Sequence, residues 1–187
     1  MNYLFVDLDK TFINCNSFSR ELRFFIRQTG FFRSLLKFSR ITKYSRLSIK
    51  HFIHDQNLKL DYSNCVNYLV LDLINKYKSQ GYRVVLATAA VEDSARYITN
   101  TYDCFDDVIG SSNRINLKGR RKLLEIENRA GSKSFMYIGD SKQDFVIFES
   151  SISSILISRS RYVAFIAKVR FGKKVEIFAG ERCTHGR

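Results

Sequence analysis

With 187 residues, 45% of them hydrophobic and 26% charged, the chain has enough apolar side chain to bury a core, which excludes disorder and collagen-like repeats. No apolar run reaches the ~20 residues of a membrane-spanning helix and the first residues lack the basic and apolar regions of a secretory signal, so a soluble, cytoplasmic protein is expected, with Cys15, Cys65, Cys104 and Cys183 as free thiols. The net charge of +13 is concentrated: residues 20–50 hold nine Lys and Arg against Glu21 alone, and residues 155–187 hold eight against Glu176 and Glu181, a pattern that calls for an acidic partner or surface met by particular elements.

Tyr3-Leu4-Phe5-Val6 reads as a buried strand running into Asp7-Leu8-Asp9. Asn14 to Ser17 offers helix-capping side chains. Phe18, Leu22, Phe25 and Ile26 then share one helical face, with Arg20, Arg23 and Arg27 opposite. Gly30 closes this helix. Residues 31–44 repeat the design with Arg33, Lys37, Arg40 and Lys43, and residues 45–54 suggest a third helix. Residues 13–61 are therefore expected to form a helical insertion, with 1–12 and 62–187 as the core domain. Phe18, Phe25, Phe31, Phe32 and Phe38 are its expected packing residues, a lipid-facing or partner-facing surface being the alternative.

Ser63 precedes a run in which Val66, Leu69, Val70, Leu73, Ile74 and Tyr77 keep helical spacing, and Gly81 stops it. A strand is expected over 83–88, a helix over 91–101 and a short strand at Val108-Ile109. Next come a helix over 118–130, a strand over 135–138 entering Gly139-Asp140, a short helix over 143–149 and a last strong strand over 153–158. The tail offers an amphipathic helix built on Tyr162, Phe165, Ile166 and Val169, then an apolar patch over 175–179. Strands alternating with helices give an α/β class with a doubly wound parallel sheet, which binds ligands at the carboxyl ends of its strands.

Four polar clusters fall at such ends. In Asp7-Leu8-Asp9-Lys10-Thr11 the alternation of an extended backbone lets two carboxylates point the same way, one as nucleophile and one as proton donor. Thr88 ends an apolar strand with a hydroxyl. Lys118, after Asn116-Leu117, supplies a compact cation for phosphate oxygens, and Lys122 on the same helix is its alternative. Gly139-Asp140-Ser141-Lys142-Gln143-Asp144 sets two acids four apart, hard oxygen donors suited to Mg²⁺. His51 and His54 form an H-x-x-H without a matching acid or cysteine, so a packed or solvated pair is expected, and Cys183 and His185 receive no role.

Together, Asp7-x-Asp9-x-Thr11, Thr88, Lys118 and Gly139-Asp140-x-x-x-Asp144 resemble, in order, the four motifs of the haloacid dehalogenase (HAD) superfamily. The stretches Leu86-Ala87-Thr88-Ala89-Ala90, Asn116-Leu117-Lys118-Gly119 and Tyr137-Ile138-Gly139-Asp140-Ser141 are similar to the HAD domain fused ahead of UbiA-type prenyltransferases and, more distantly, to phosphoserine phosphatase. The resemblance spans residues 3–158 and implies a HAD-like Rossmannoid core with residues 13–61 as a cap. It implies a phosphatase in which Asp7 forms an aspartyl-phosphate and Asp9 is the general acid and base. Thr88 and Lys118 would bind the phosphoryl group, with Mg²⁺ held by Asp7, the Asp9 main chain, Asp140 and Asp144. Lys10 stands where many relatives have Gly. A cap over the site implies a small or medium organic phosphate, and the basic, aromatic composition of this one points to an amphiphilic or lipid-linked phosphate, with peripheral contact to an anionic membrane through residues 20–50. The competing reading is a non-catalytic basic module binding an anionic membrane or nucleic acid, the latter disfavoured.

Overall fold

Alternation of apolar side chains along each strand decides the architecture. The computed structural model describes residues 2–39, 46–112 and 115–181. Strands β1 (Asn2–Val6), β2 (Tyr82–Val91), β3 (Asp107–Ser111), β4 (Phe135–Gly139), β5 (Ser153–Ser158) and β6 (Val175–Ala179) form one sheet in the order β3-β2-β1-β4-β5-β6. Every pairing is parallel. Leu4, Val6, Val84, Leu86, Ile138, Ile155 and Ile157 project to one face, where Val70, Ile74, Ala95 and Ile98 cover them. Phe5, Val85, Ala87, Phe135, Tyr137 and Leu156 project to the other, under Ile126, Phe148 and Ala167. Helices α4 (Tyr68–Ser79) and α5 (Glu92–Thr99) thus close the first face, and α6 (Arg120–Ala130), α7 (Phe145–Ser150) and α8 (Arg161–Phe171) close the second. Burial on both faces is why these strands read as continuous apolar runs. Each fully buried Leu, Ile or Phe stabilises the fold by about 1.5–3 kcal/mol.

The doubly wound sheet is as expected, with several corrections. The last strand is not 153–158: residues 175–179 form β6, an edge strand beside β5. Strand β2 runs past Thr88 to Val91, with a register shift between Ala87 and Val91. Residues Ser63–Cys65 make a separate 3-10 turn, so α4 begins only at Tyr68. In α8 the expected apolar face is split: Ile166 packs inward, while Tyr162, Phe165 and Val169 are exposed.

Between β1 and α4 lie α1 (Ser17–Thr29), α2 (Phe31–Ser39) and α3 (Arg46–His54). Asn16 caps α1, its Oδ1 accepting from the Ser19 N–H at 2.9 Å. The chain leaves the core and returns at one place: Ile13 bridges Val66, the Asn14 N–H donates to the Cys65 carbonyl and the Asn67 N–H to that of Phe12. Arg20 reinforces this junction by donating to the Asp61 carbonyl and Cys65 Sγ, so it is not part of a free basic face. The phenylalanine stripe divides. Phe25, Phe38 and Phe52 pack ring against ring, whereas Phe31 and Phe32 face solvent. His54 bonds Ser94 Oγ at 2.8 Å. Arg40, Lys43, Cys183 and His185 lie outside the described residues.

Candidate active site

The sheet order reverses at β1, which has β2 on one side and β4 on the other, and this switch point opens a crevice at the carboxyl ends. The Asp7 N–H donates to the Ile138 carbonyl at 2.9 Å, so Asp7 emerges beside Gly139 and Asp140. Ligand oxygens of Asp7, Asp140 and Asp144 all lie within 4.8 Å of one another. Lys122, buried on α6, donates to Asp7 Oδ1 at 2.7 Å and to the Tyr137 hydroxyl at 3.0 Å. Tyr137 in turn donates to Asp144 Oδ1 at 2.9 Å. Ser141 and Asp144 form a reciprocal capping box, fixing Asp144 through the Ser141 N–H and hydroxyl.

Burial raises the Asp7 carboxyl to about 8, with Lys122 opposing and Asp144 and Asp140 adding to the rise. Burial, then Asp144, lifts Asp140 to about 6. Burial also works against the Lys122 charge, but Asp7 and Asp144 outweigh it and hold the ammonium above its ordinary value. Three carboxylates against one ammonium leave a surplus of negative charge that a proton or a cation must compensate.

Asp9 sits at the start of α1, accepting from the Ser17 N–H at 2.8 Å and Asn16 Nδ2 at 3.0 Å. Burial raises its carboxyl despite the Ser17 N–H that favours the anion. Lys10, the residue after Asp9, has φ 62°, the left-handed region that Gly occupies without strain; this is the physical reason a Gly suits that position. The cavity above these groups, of about 230 Å³, is lined by Asp7, Asp9, Lys10, Lys50, Lys118 and Asp140 among others. Lys50 reaches it from α3 and donates to the Ala89 carbonyl.

No protein-family model matches the chain. A curated relative, the uncharacterized protein y4nM of Sinorhizobium fredii, is 37% identical over 101 residues, 54% of this chain but 19% of that protein. The chain thus spans about a fifth of that relative's length. Among solved structures, a protein of unknown function from Bordetella pertussis superposes with TM-score 0.68 at 14% identity, over 93% of this chain and 97% of that one. A HAD family hydrolase from Salmonella enterica serovar Typhi gives 0.61 at 12% identity, over 88% and 64%. A phospho-aspartyl intermediate analogue of phosphoserine phosphatase gives 0.55 at 14% identity, over 96% and 93%. The fold is that of the HAD hydrolases.

On this HAD fold Asp7, Asp140 and Asp144 converge as one group, and Asp9 lines the same cavity. Thr88 is buried beside them rather than lining the cavity, its Oγ1 accepting from the Ala90 N–H at 3.0 Å. Lys118 precedes α6 instead of opening it and is exposed at the cavity mouth, so the lysine in contact with Asp7 is Lys122. Tyr137, Asn16 and Lys50 are the residues that sequence reasoning missed. Tyr137 had the pattern of an ordinary core strand residue, and Lys50 stands too far along the chain to signal. A local requirement fixes Gly139: a Cβ there would lie 2.7 Å from Tyr137 Cε1 and 2.9 Å from Asp144 Cγ. Gly139→Ala is therefore expected to displace the Asp144 carboxylate and destabilise the fold by about 1–3 kcal/mol, measured by denaturant unfolding. An unchanged midpoint would show that the neighbours yield freely.

Proposed function

We propose that the chain is a Mg²⁺-dependent phosphomonoester phosphatase that works through an aspartyl-phosphate. The observation that carries this reading is Asp7 at the end of β1, bonded to Lys122 and grouped with Asp140 and Asp144, with the half-buried Asp9 two residues on. An Asp7 carboxylate oxygen attacks phosphorus, the P–O bond to the leaving group breaks, and protonated Asp9 gives its proton to the departing oxygen. Water then attacks the acyl phosphate; Asp9 takes its proton, and Asp7 and inorganic phosphate are released. Lys122, in place of Lys118, neutralises the phosphoryl oxygens, while Thr88, which does not line the cavity, holds the Ala90 N–H through its Oγ1 at the site's edge.

The carboxylates suit a divalent cation: hard oxygen donors gathered within ligating reach, in surplus over the buried ammonium. Asp7, Asp140 and the Asp9 carbonyl would hold Mg²⁺, with Asp144 directly or through water, and the ion would offset charge on the transferring phosphoryl group. Cavity residues Lys10, Lys50 and Lys118 favour a small or amphiphilic substrate whose leaving group is itself anionic. A non-catalytic anion-binding module has no use for four acids beneath an anion site. Turnover of an aryl phosphate that depends on added Mg²⁺ tests the proposal; full turnover in excess chelator would refute it.

Stability carries a second test. A carboxyl whose pKa is higher in the folded chain than in the unfolded one binds its proton more tightly when folded. The metal-free protein should therefore lose stability as pH rises from 3.8 towards about 8, the window set by Asp7, with Asp140 contributing up to about 6. Lys122 stays charged across that window. A bound divalent ion replaces the proton, so Mg²⁺ should raise the unfolding temperature more at pH 8 than at pH 5. Thermal unfolding with and without chelator measures this, and an equal Mg²⁺ effect at both pH values would contradict it.

A further inference from the structure

Helix α2 turns its apolar side away from the protein. Its inner face is set by Ser34, buried and donating to the Gly30 carbonyl at 2.8 Å, and by Phe38, packed on Phe25 and Phe52. Phe31, Phe32, Leu35 and Leu36 are 64%, 79%, 56% and 67% exposed. At 100° per residue they occupy a continuous arc of about 140° of the helix. Arg33 and Lys37 lie together along one edge of that arc, and Arg23 and Arg27 are exposed on the adjoining α1. Between Glu21 and Asp55 the sequence contains no acidic residue.

We propose that α2 docks on the surface of an anionic phospholipid bilayer, with Phe31, Phe32, Leu35 and Leu36 entering the acyl boundary and Arg23, Arg27, Arg33 and Lys37 meeting headgroup phosphates. Two needs have to be met at once. Four large side chains held in water need an apolar medium, and a basic surface without interspersed acids needs anions. A bilayer supplies both in adjacent layers. Nucleic acid supplies the anions, but the aliphatic Leu35 and Leu36 cannot stack on its bases. A second copy of the chain would bury the apolar arc while bringing like charges together. No helix among the described residues is long and apolar enough to cross a membrane, so the contact is with the surface. The inference stands apart from the phosphatase reading, since docking needs none of the buried acids.

The test is co-sedimentation of the full chain with vesicles of phosphatidylcholine alone or with 30% phosphatidylglycerol, at 0.1 and 0.5 M salt. Binding to the anionic vesicles is expected to be at least tenfold tighter than to the neutral ones and to weaken at the higher salt. Phe32→Ser with Leu36→Ser should lower it at least tenfold, and Arg27→Glu with Arg33→Glu should do the same, both with unchanged thermal unfolding because these side chains are exposed. Phe32→Ser alone stands in if the double variant unfolds early. Equal binding to both vesicle types, or full binding by the folded variants, would overturn the proposal. So would a dimer in the absence of vesicles that Phe32→Ser with Leu36→Ser converts to monomer, which would assign the face to a second copy.

Discussion

Asp7→Asn is expected to remove phosphate-ester turnover to below detection while the protein stays folded. An amide cannot form the acyl phosphate, and exchanging oxygen for nitrogen leaves the side-chain volume in the buried crevice nearly unchanged. The substitution also removes one of the carboxylates that crowd Asp140 and Asp144, so thermal stability without metal should rise, not fall. Activity and stability are thus predicted to move in opposite directions, which separates a lost nucleophile from a damaged fold. Asp9→Asn should slow turnover by about 10² to 10⁴-fold, the usual worth of a general acid and base. Near-normal Mg²⁺-dependent turnover by Asp7→Asn would reject the nucleophile, and no change in Asp9→Asn would make that residue a cap for α1 alone.

Lys122→Met should cost turnover about 10² to 10³-fold, the scale of removing one donor from a developing charge, whereas Lys118→Met should change it by less than about fivefold on a small aryl phosphate. Only Lys122 is buried against Asp7, with Asp144 Oδ1 3.7 Å from its ammonium. Its loss leaves buried carboxylates without their cation, destabilising the fold by about 3–5 kcal/mol where they remain ionised. That penalty should shrink at low pH, where protonation relieves it. Steady-state kinetics on both variants decides the assignment: a large effect of Lys118→Met with a small one for Lys122→Met would return the phosphate-binding role to Lys118.

The parallel sheet was legible because strands covered on both faces are apolar throughout, as in Phe5-Val6 and Leu86-Ala87, and because polar clusters mark where such strands stop. Edge strand β6 was not, since Glu176 interrupts a run only five residues long. Spacing alone leaves Lys118 and Lys122 equivalent; the choice between them is made by Gly119, whose φ of 56° ends the loop and starts α6 so that Lys122 faces inward. The outward turn of Tyr162, Phe165 and Val169 on α8 is equally invisible, because periodicity finds an apolar face without saying which side of it meets the sheet. Tyr137 shows the same limit from the other direction: its ring belongs to the core and its hydroxyl to the site.

The junction at Ile13 and Val66 separates two kinds of change. Because the chain departs and re-enters at hydrogen-bonding distance, the sheet is indifferent to how many residues lie between, and lengthening such a segment adds only a slowly growing closure entropy. The acids that would perform the reaction all lie outside this segment, while Lys50 and Phe18, which line the cavity roof, lie within it. Insertions, deletions and exchanges between residues 18 and 61, beyond the Asn16 and Ser17 that hold the Asp9 carboxylate, can therefore reshape what the cavity admits while the candidate catalytic carboxylates keep their places, making this stretch the natural site for divergence and for grafting.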